Sequence, residues 1–170
     1  MSPNTETLAA SHDAPPAPPA TPATPAFVDA VDTRYLQTLL GYNARRAALT
    51  VIDEFVPRMA QFGLRVVDFS ILSVIHHNPG ITSRQLCAAL ALLPPNLVGK
   101  IGALESRGLL ARQPHPQDGR ALGLHLTAEG QALMARAEAE AVALENDAAP
   151  GLTPAERRTL IRLLQKVYRP

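Results

Sequence analysis

The chain holds 170 residues, with Lys+Arg 16 against Asp+Glu 15 for a net charge of +1. That length is enough for one domain plus an extension, and so even a balance gives no bulk signature of a polyanion binder. A single cysteine excludes an internal disulfide and any cysteine-based zinc site, and no run of roughly 18 apolar residues is there to span a membrane. The amino terminus lacks both a cationic start and an apolar signal core, so the cytoplasm is the expected location.

Residues 1–31 are expected to be a disordered tail. PPAPPATPATP, with alanine and threonine between its prolines, has too little apolar bulk to build a core. The first 33 residues hold Glu6, Asp13, Asp29 and Asp32 with no Lys or Arg. From Asp32 to about Met59 the chain reads as a helix with Tyr35, Leu39, Tyr42, Leu49, Ile52 and Phe55 as its apolar positions. Asp32 or Thr33 can cap its start, and Pro57 should kink or end it by removing a donor and crowding the preceding turn. Gly63 breaks the chain. Val66–His77 forms a second helix burying Phe69, Leu72 and Ile75, which Asn78-Pro79-Gly80 stops.

The next stretch, Ile81 to Thr127, organises the rest. Thr82 with Gln85 three residues on is a capping box, and Ile81 can staple onto Leu86. This helix carries Leu86 and Leu90 inward and gives out near Leu93. Pro94 and Pro95 forbid its continuation but suit a new start, with Pro95 in the first turn. In the new helix Leu97, Ile101 and Leu104 share one side, and Gly108 closes it. Leu109–Gln113 and Ala121–Leu126 read as strands, with Asp118-Gly119 between them as a hairpin signal. Residues 64–127 carry Arg65, Arg84, Lys100, Arg107, Arg112 and Arg120 against Asp68, Glu105 and Asp118, a net +3. A segregated basic module is the electrostatic footprint of a phosphate binder.

Thr127 then caps an alanine-rich helix to about Asp147, with Leu133, Ala137, Ala141 and Leu144 on one face. Ala149-Pro150-Gly151 is a turn. Thr153, Pro154 and Glu156 start a last helix whose stripe is Leu160, Leu163, Leu164 and Val167. The expected fold is mainly α with a small β-hairpin wing. Residues 64–127 form a winged helix-turn-helix module, and the helices of 32–62 and 128–170 flank it. Those end helices either cover each other within one chain or await a partner.

LESRGLLARQPHPQDGRALGLHLTAEG resembles the MarR family of bacterial transcriptional regulators (multiple antibiotic resistance regulators). Leu104, Glu105, Gly108, Leu109, Asp118, Arg120, Leu126, Thr127 and Gly130 stand in the places of its pattern, and the likeness runs from about Tyr35 to Tyr168. The resemblance implies a homodimer of interleaved terminal helices on double-stranded DNA. It also implies a crevice beside the dimer helices for a small aromatic or anionic effector.

With Leu97, Ile101 and Leu104 inward, the second helix of the module turns Asn96, Gly99, Ala103 and Ser106 outward, with Lys100 at the edge. Asn96 is its candidate base reader, flanked by Pro95. Gly99 departs from the longer polar or basic residue that family members often carry there. Arg84, Arg107 and Arg112 suit phosphates. The resemblance gives Arg120 a minor-groove contact, where potential is most negative over A·T sequence, and Asp118 a part in holding the wing. Tyr42, Asn43, Arg45 and Arg46 on the first helix are candidates to line the effector crevice. Ser70, Ser73 and His77, at helical spacing on the second, are candidates as well.

Cys87 reads as a structural thiol. No GxSxG, phosphate-cradling glycine loop or metal-spaced histidine pair occurs, so neither enzyme chemistry nor a cofactor or metal is expected. The function expected is a ligand-responsive repressor on a pseudo-palindromic operator, released by an aromatic carboxylate or its acyl thioester. A winged-helix adaptor for protein partners is the alternative.

Overall fold

The computed structural model describes residues 30–115 and 118–169, without the side chains of residues 115, 118–121 and 146. The expected tail over residues 1–29, and the side chains of Asp118 and Arg120, lie outside the described set. The elements are α1 (Arg34–Gln37), α2 (Leu40–Ala60), α3 (Val66–His77), β1 (Ile81–Thr82), α4 (Ser83–Leu90), α5 (Pro94–Ser106), β2 (Leu110–His115), β3 (Asp118–Leu126), α6 (Ala128–Asp147) and α7 (Pro154–Tyr168). The fold is mainly helical with a small antiparallel sheet ordered β1-β3-β2. Helices α3, α4 and α5 and the β2–β3 hairpin make the winged helix-turn-helix.

Local chemistry explains most boundaries. The Thr82–Gln85 capping box forms in both directions at the start of α4, and Thr153–Glu156 repeats it at α7. There the Thr153 hydroxyl and backbone N–H hold the Glu156 carboxyl below its ordinary pKa. Helix α5 has proline in its first turn and ends in a Schellman closure at Gly108 (φ +69°). Its two bonds run from the Gly108 N–H to Glu105 O at 2.8 Å and from the Leu109 N–H to Leu104 O at 3.1 Å.

Three expectations are corrected. The single helix over 32–59 is broken at Thr38-Leu39, because the Asn43 amide donates to the carbonyls of Gln37 and Leu39, both at 2.8 Å. Helix α2 ends at Ala60, close to the expected end near Met59, with Pro57 in its last turn; the loss of one backbone bond is outweighed by burial of Met59 in the core. Helix α4 stops at Leu90 rather than Leu93, where Ala91 turns left-handed (φ 50°) and the Leu92 N–H closes on Cys87 O at 3.0 Å. His115 pairs with Asp118, so Asp118 and Gly119 begin β3 instead of forming the turn. The sheet also gains β1, with Ile81 opposite Leu124.

The core gathers Met59, Ile71, Leu72, Ile75, Leu86, Leu97, Ile101, Leu104, Leu124 and Met134, all at most 1% exposed. Phe55 and Phe69 meet edge to face at 5.2 Å, joining α2 to α3. Arg58 ties α2 to α6 by bridging Glu140 and Asp147, and the Asp147 carboxylate raises the guanidinium pKa. Cys87 packs half-buried against this core. No single described helix is long and apolar enough to cross a membrane.

The tightest joint lies where α5, β2 and α6 meet. The Leu109 carbonyl accepts the Thr127 N–H at 3.1 Å, and the Thr127 hydroxyl donates to Gly108 O at 2.6 Å. A Cβ on Gly130 would stand 1.9 Å from the Leu109 oxygen. Gly130→Ala is therefore expected to cost about 3 kcal/mol or more in a urea unfolding titration. Gly99→Ala, with nothing within 4 Å of the added carbon, should instead stabilise the fold by about 1 kcal/mol.

Candidate nucleic-acid interface

Helix α5 presents Pro95, Asn96, Gly99, Ala103 and Ser106 to solvent, as its inward Leu97, Ile101 and Leu104 require. The face is sparse. Ser106 spends its hydroxyl on Gly102 O at 2.9 Å, and no atom lies within 4 Å of a Cβ at Gly99 or Gly102. Val98, not singled out in the sequence, is 64% exposed. Arg84, on the first turn of α4, is exposed and has no hydrogen bond or ion pair among the described residues.

Three cations expected at the DNA-facing surface have partners within the protein. Lys100 Nζ lies 2.9 Å from Asp68 Oδ1, with the two side chains 33% and 13% exposed, so it ties α5 to α3. Arg107 donates to the carbonyls of Gly63 at 2.9 Å and Phe62 at 3.2 Å, pinning the end of α5 to the α2–α3 turn. Arg112 forks onto both Glu105 oxygens at 2.9 Å, bracing the wing against α5. The basic surplus of residues 64–127 therefore goes largely into positioning α5. Sequence alone could not pair Lys100 with an aspartate 32 residues away.

The effector candidates fall in two places. Ser73 donates to Glu138 Oε1 at 2.7 Å, and His77 Nε2 sits 3.1 Å from the same oxygen, so these two meet on α6. Ser70 turns its hydroxyl back onto Val66 O at 2.9 Å. Tyr42, Arg45 and Arg46 stand on the amino-terminal half of α2, the arginines exposed and the tyrosine half-buried, and Asn43 is committed to the helix break. None of them lines the cleft of about 630 Å³ that opens where α2, α3 and α5 converge. That cleft has apolar walls from Val56, Ala60, Leu64, Val66 and Val67, with Arg65 and Lys100 as its cations. Arg46 and Val56 are ten residues apart, about 15 Å along α2. Among the described residues no group of three or more His, Cys, Asp or Glu side chains is placed to hold a metal ion.

Comparison with known proteins accords with this architecture. The MarR family profile matches residues 62–121. A transcriptional regulatory protein for the hcr operon of Thauera aromatica is 32% identical over 76% of this chain and 79% of its own length. The HTH-type transcriptional repressor Rv2887 of Mycobacterium tuberculosis is 30% identical over 75% of this chain and 92% of its own. The transcriptional repressor CouR bound to a 23-mer DNA duplex superimposes with a TM-score of 0.77 at 33% identity, covering 83% of this chain and all of that one. The chain belongs to the MarR family of winged helix-turn-helix transcriptional regulators.

Proposed function

We propose that this protein is a transcriptional repressor that binds a pseudo-palindromic operator as a homodimer and is released by a small anionic, aromatic effector. The observation that carries the reading is the Asp68–Lys100 pair. It joins the candidate reading helix α5 to α3, and its lysine lines a cleft of about 630 Å³ between α2, α3 and α5. Repressor relatives supply the chemical class. CouR has been solved with p-coumaroyl-CoA and Rv2887 with salicylic acid; both molecules are anionic and aromatic.

The release follows from electrostatics and mass action. An aromatic ring suits the walls of Val56, Leu64 and Val67, and its anion suits Arg65 and Lys100. Drawing the ammonium toward the ligand weakens its hold on Asp68 and frees α5 to shift against α3. A ligand moves that balance only by its differential affinity for the two arrangements. In the reading state two α5 helices, one per half-site, enter adjacent major grooves, with Arg120 of each wing in a flanking minor groove.

Dimerisation is supported by the chain ends. Helix α7 has no buried residue, and Leu160, Ile161, Leu163, Leu164 and Val167 on it are 37–62% exposed. Tyr35, Leu36, Leu39 and Leu40 of the α1–α2 region are similarly open. Fifteen residues of helix with an uncovered apolar stripe are marginal alone in water, and a second copy offers matching stripes. The adaptor alternative is less well supported: the repressor relatives Rv2887 and CouR have been solved with DNA.

Light scattering should give twice the 18.2 kDa chain mass, and Leu163→Asp should return it to a monomer; a wild-type monomer at micromolar concentration contradicts the two-half-site reading. Lys100→Ala should weaken operator binding by about 1–3 kcal/mol while leaving the salt slope unchanged. A slope reduced by about one would mean that Lys100 contacts phosphate. With p-coumaroyl-CoA or salicylate as effector, Arg65→Ala should abolish release and Arg46→Ala should retain it. The reverse pattern places the effector beside Arg46 instead of in the cleft, and wild-type release by neither compound contradicts the aromatic-anion class.

A further inference from the structure

The geometry points to Val98 as a base-reading residue, its isopropyl group packing on the C5 methyl of a thymine in the operator's major groove. The inference rests on the DNA-binding reading above and adds how α5 recognises sequence without a long polar side chain.

Helix α5 has few groups left for base edges. Lys100 is held by Asp68, Arg107 by the carbonyls of Phe62 and Gly63, Arg112 by Glu105, and the Ser106 hydroxyl by Gly102 O. Gly99 and Gly102 bring no side chain. Asn96 remains for hydrogen bonding at one edge of the open face, and Val98, at the other edge, stands 64% exposed. Its neighbours along the helix, Leu97 and Ile101, are 1% exposed, so the exposure of Val98 is not looseness of the core. A β-branched residue on an open helix face is also a poor helix former. Nothing within the fold accounts for an apolar side chain there.

The major groove does. Among base-pair edges there, thymine alone offers a methyl group, and apolar side chains are its partners. Every other edge offers donors or acceptors that an isopropyl group would leave unpaired, a penalty against the wrong base. The bare backbone at Gly99 and Gly102 lets α5 approach closely enough for a side chain as short as valine to reach. A protein partner fits less well. The other large exposed aliphatic side chain at α5, that of the N-cap Leu93, lies roughly 140° around the axis at about 3.6 residues per turn. The two therefore make no continuous patch of the size a protein interface needs.

The test begins with selection of duplex DNA from a random-sequence library by the full-length protein. Each thymine of the selected site is then replaced by uracil, which removes the methyl and keeps every hydrogen-bonding group. At one thymine per half-site, uracil should weaken wild-type binding about threefold to fivefold, the worth of one desolvated methyl. Val98→Ala should bind both versions alike, with a melting temperature no lower than wild type, because residue 98 is exposed and alanine is the better helix former. Uracil without effect at every thymine, or Val98→Ala retaining the thymine preference, overturns the assignment of Val98 while leaving the DNA-binding reading intact. Enrichment of no sequence at all overturns both.

Discussion

The close approach of Gly130 to the Leu109 carbonyl sets the geometry of the whole DNA-facing module. Only a residue without a Cβ lets the first turn of α6 rest on the strand leaving α5, since an added carbon would lie 1.9 Å from that oxygen. Thr127 then closes the corner from both sides, its N–H on Leu109 O and its hydroxyl on Gly108 O, while its Oγ1 accepts the Gly130 N–H at 3.0 Å and so caps α6. One joint thus fixes where the recognition helix ends, where the wing starts and where the long helix toward the chain end departs. The Gly-Leu and Leu-Thr-x-x-Gly elements of the family pattern are the two halves of this joint. Their specificity as a signature has a mechanical cause.

Around that joint, charge is used to hold rather than to reach. Arg107 and Lys100 fasten α5 to the α2–α3 turn and to α3, and Arg112 fastens the wing to α5. A recognition helix held by several polar ties has a defined orientation, which sequence-specific docking needs. It also has a place where a ligand can loosen it. Of these ties the Asp68–Lys100 pair puts a charged side chain into the wall of a cleft with apolar walls and a second cation. In the proposed release, that position makes it the transmission between effector and DNA. Arg107, bonded to two backbone carbonyls, belongs to the fixed part.

The local structure was largely legible in the sequence because its signals are local. Capping boxes at Thr82 and Thr153, proline at the start of α5, glycine after its end and the period of Leu97, Ile101 and Leu104 each involve residues within a few positions of one another. The misjudged features involve distant partners or competing local ones. Asn43 breaks the first helix by bonding carbonyls that a periodicity count does not see. The surface was less legible. Lys100, Arg107 and Arg112 look like phosphate ligands until Asp68, Gly63 and Glu105 are brought beside them, and Ser73 and His77 look like pocket residues until Glu138 of α6 meets them. Val98 escaped notice because an apolar residue one step from the core stripe carries no signal until its exposure is known.

Helix α5 as the DNA reader is the central claim, and backbone hydrogen exchange of the full-length protein with and without its selected duplex tests it directly. The first N–H groups of α5, those of Asn96 and Leu97, share the single carbonyl of Leu93 at 3.0 and 3.2 Å; a helix end opens more readily than its middle, so protection there is easily read. Bound duplex should slow exchange in residues 96–100 of α5 and in the first residues of β3, leaving α7 unchanged. Protection confined to α7 or the α1–α2 region, with α5 exchanging as in the free protein, would contradict the account.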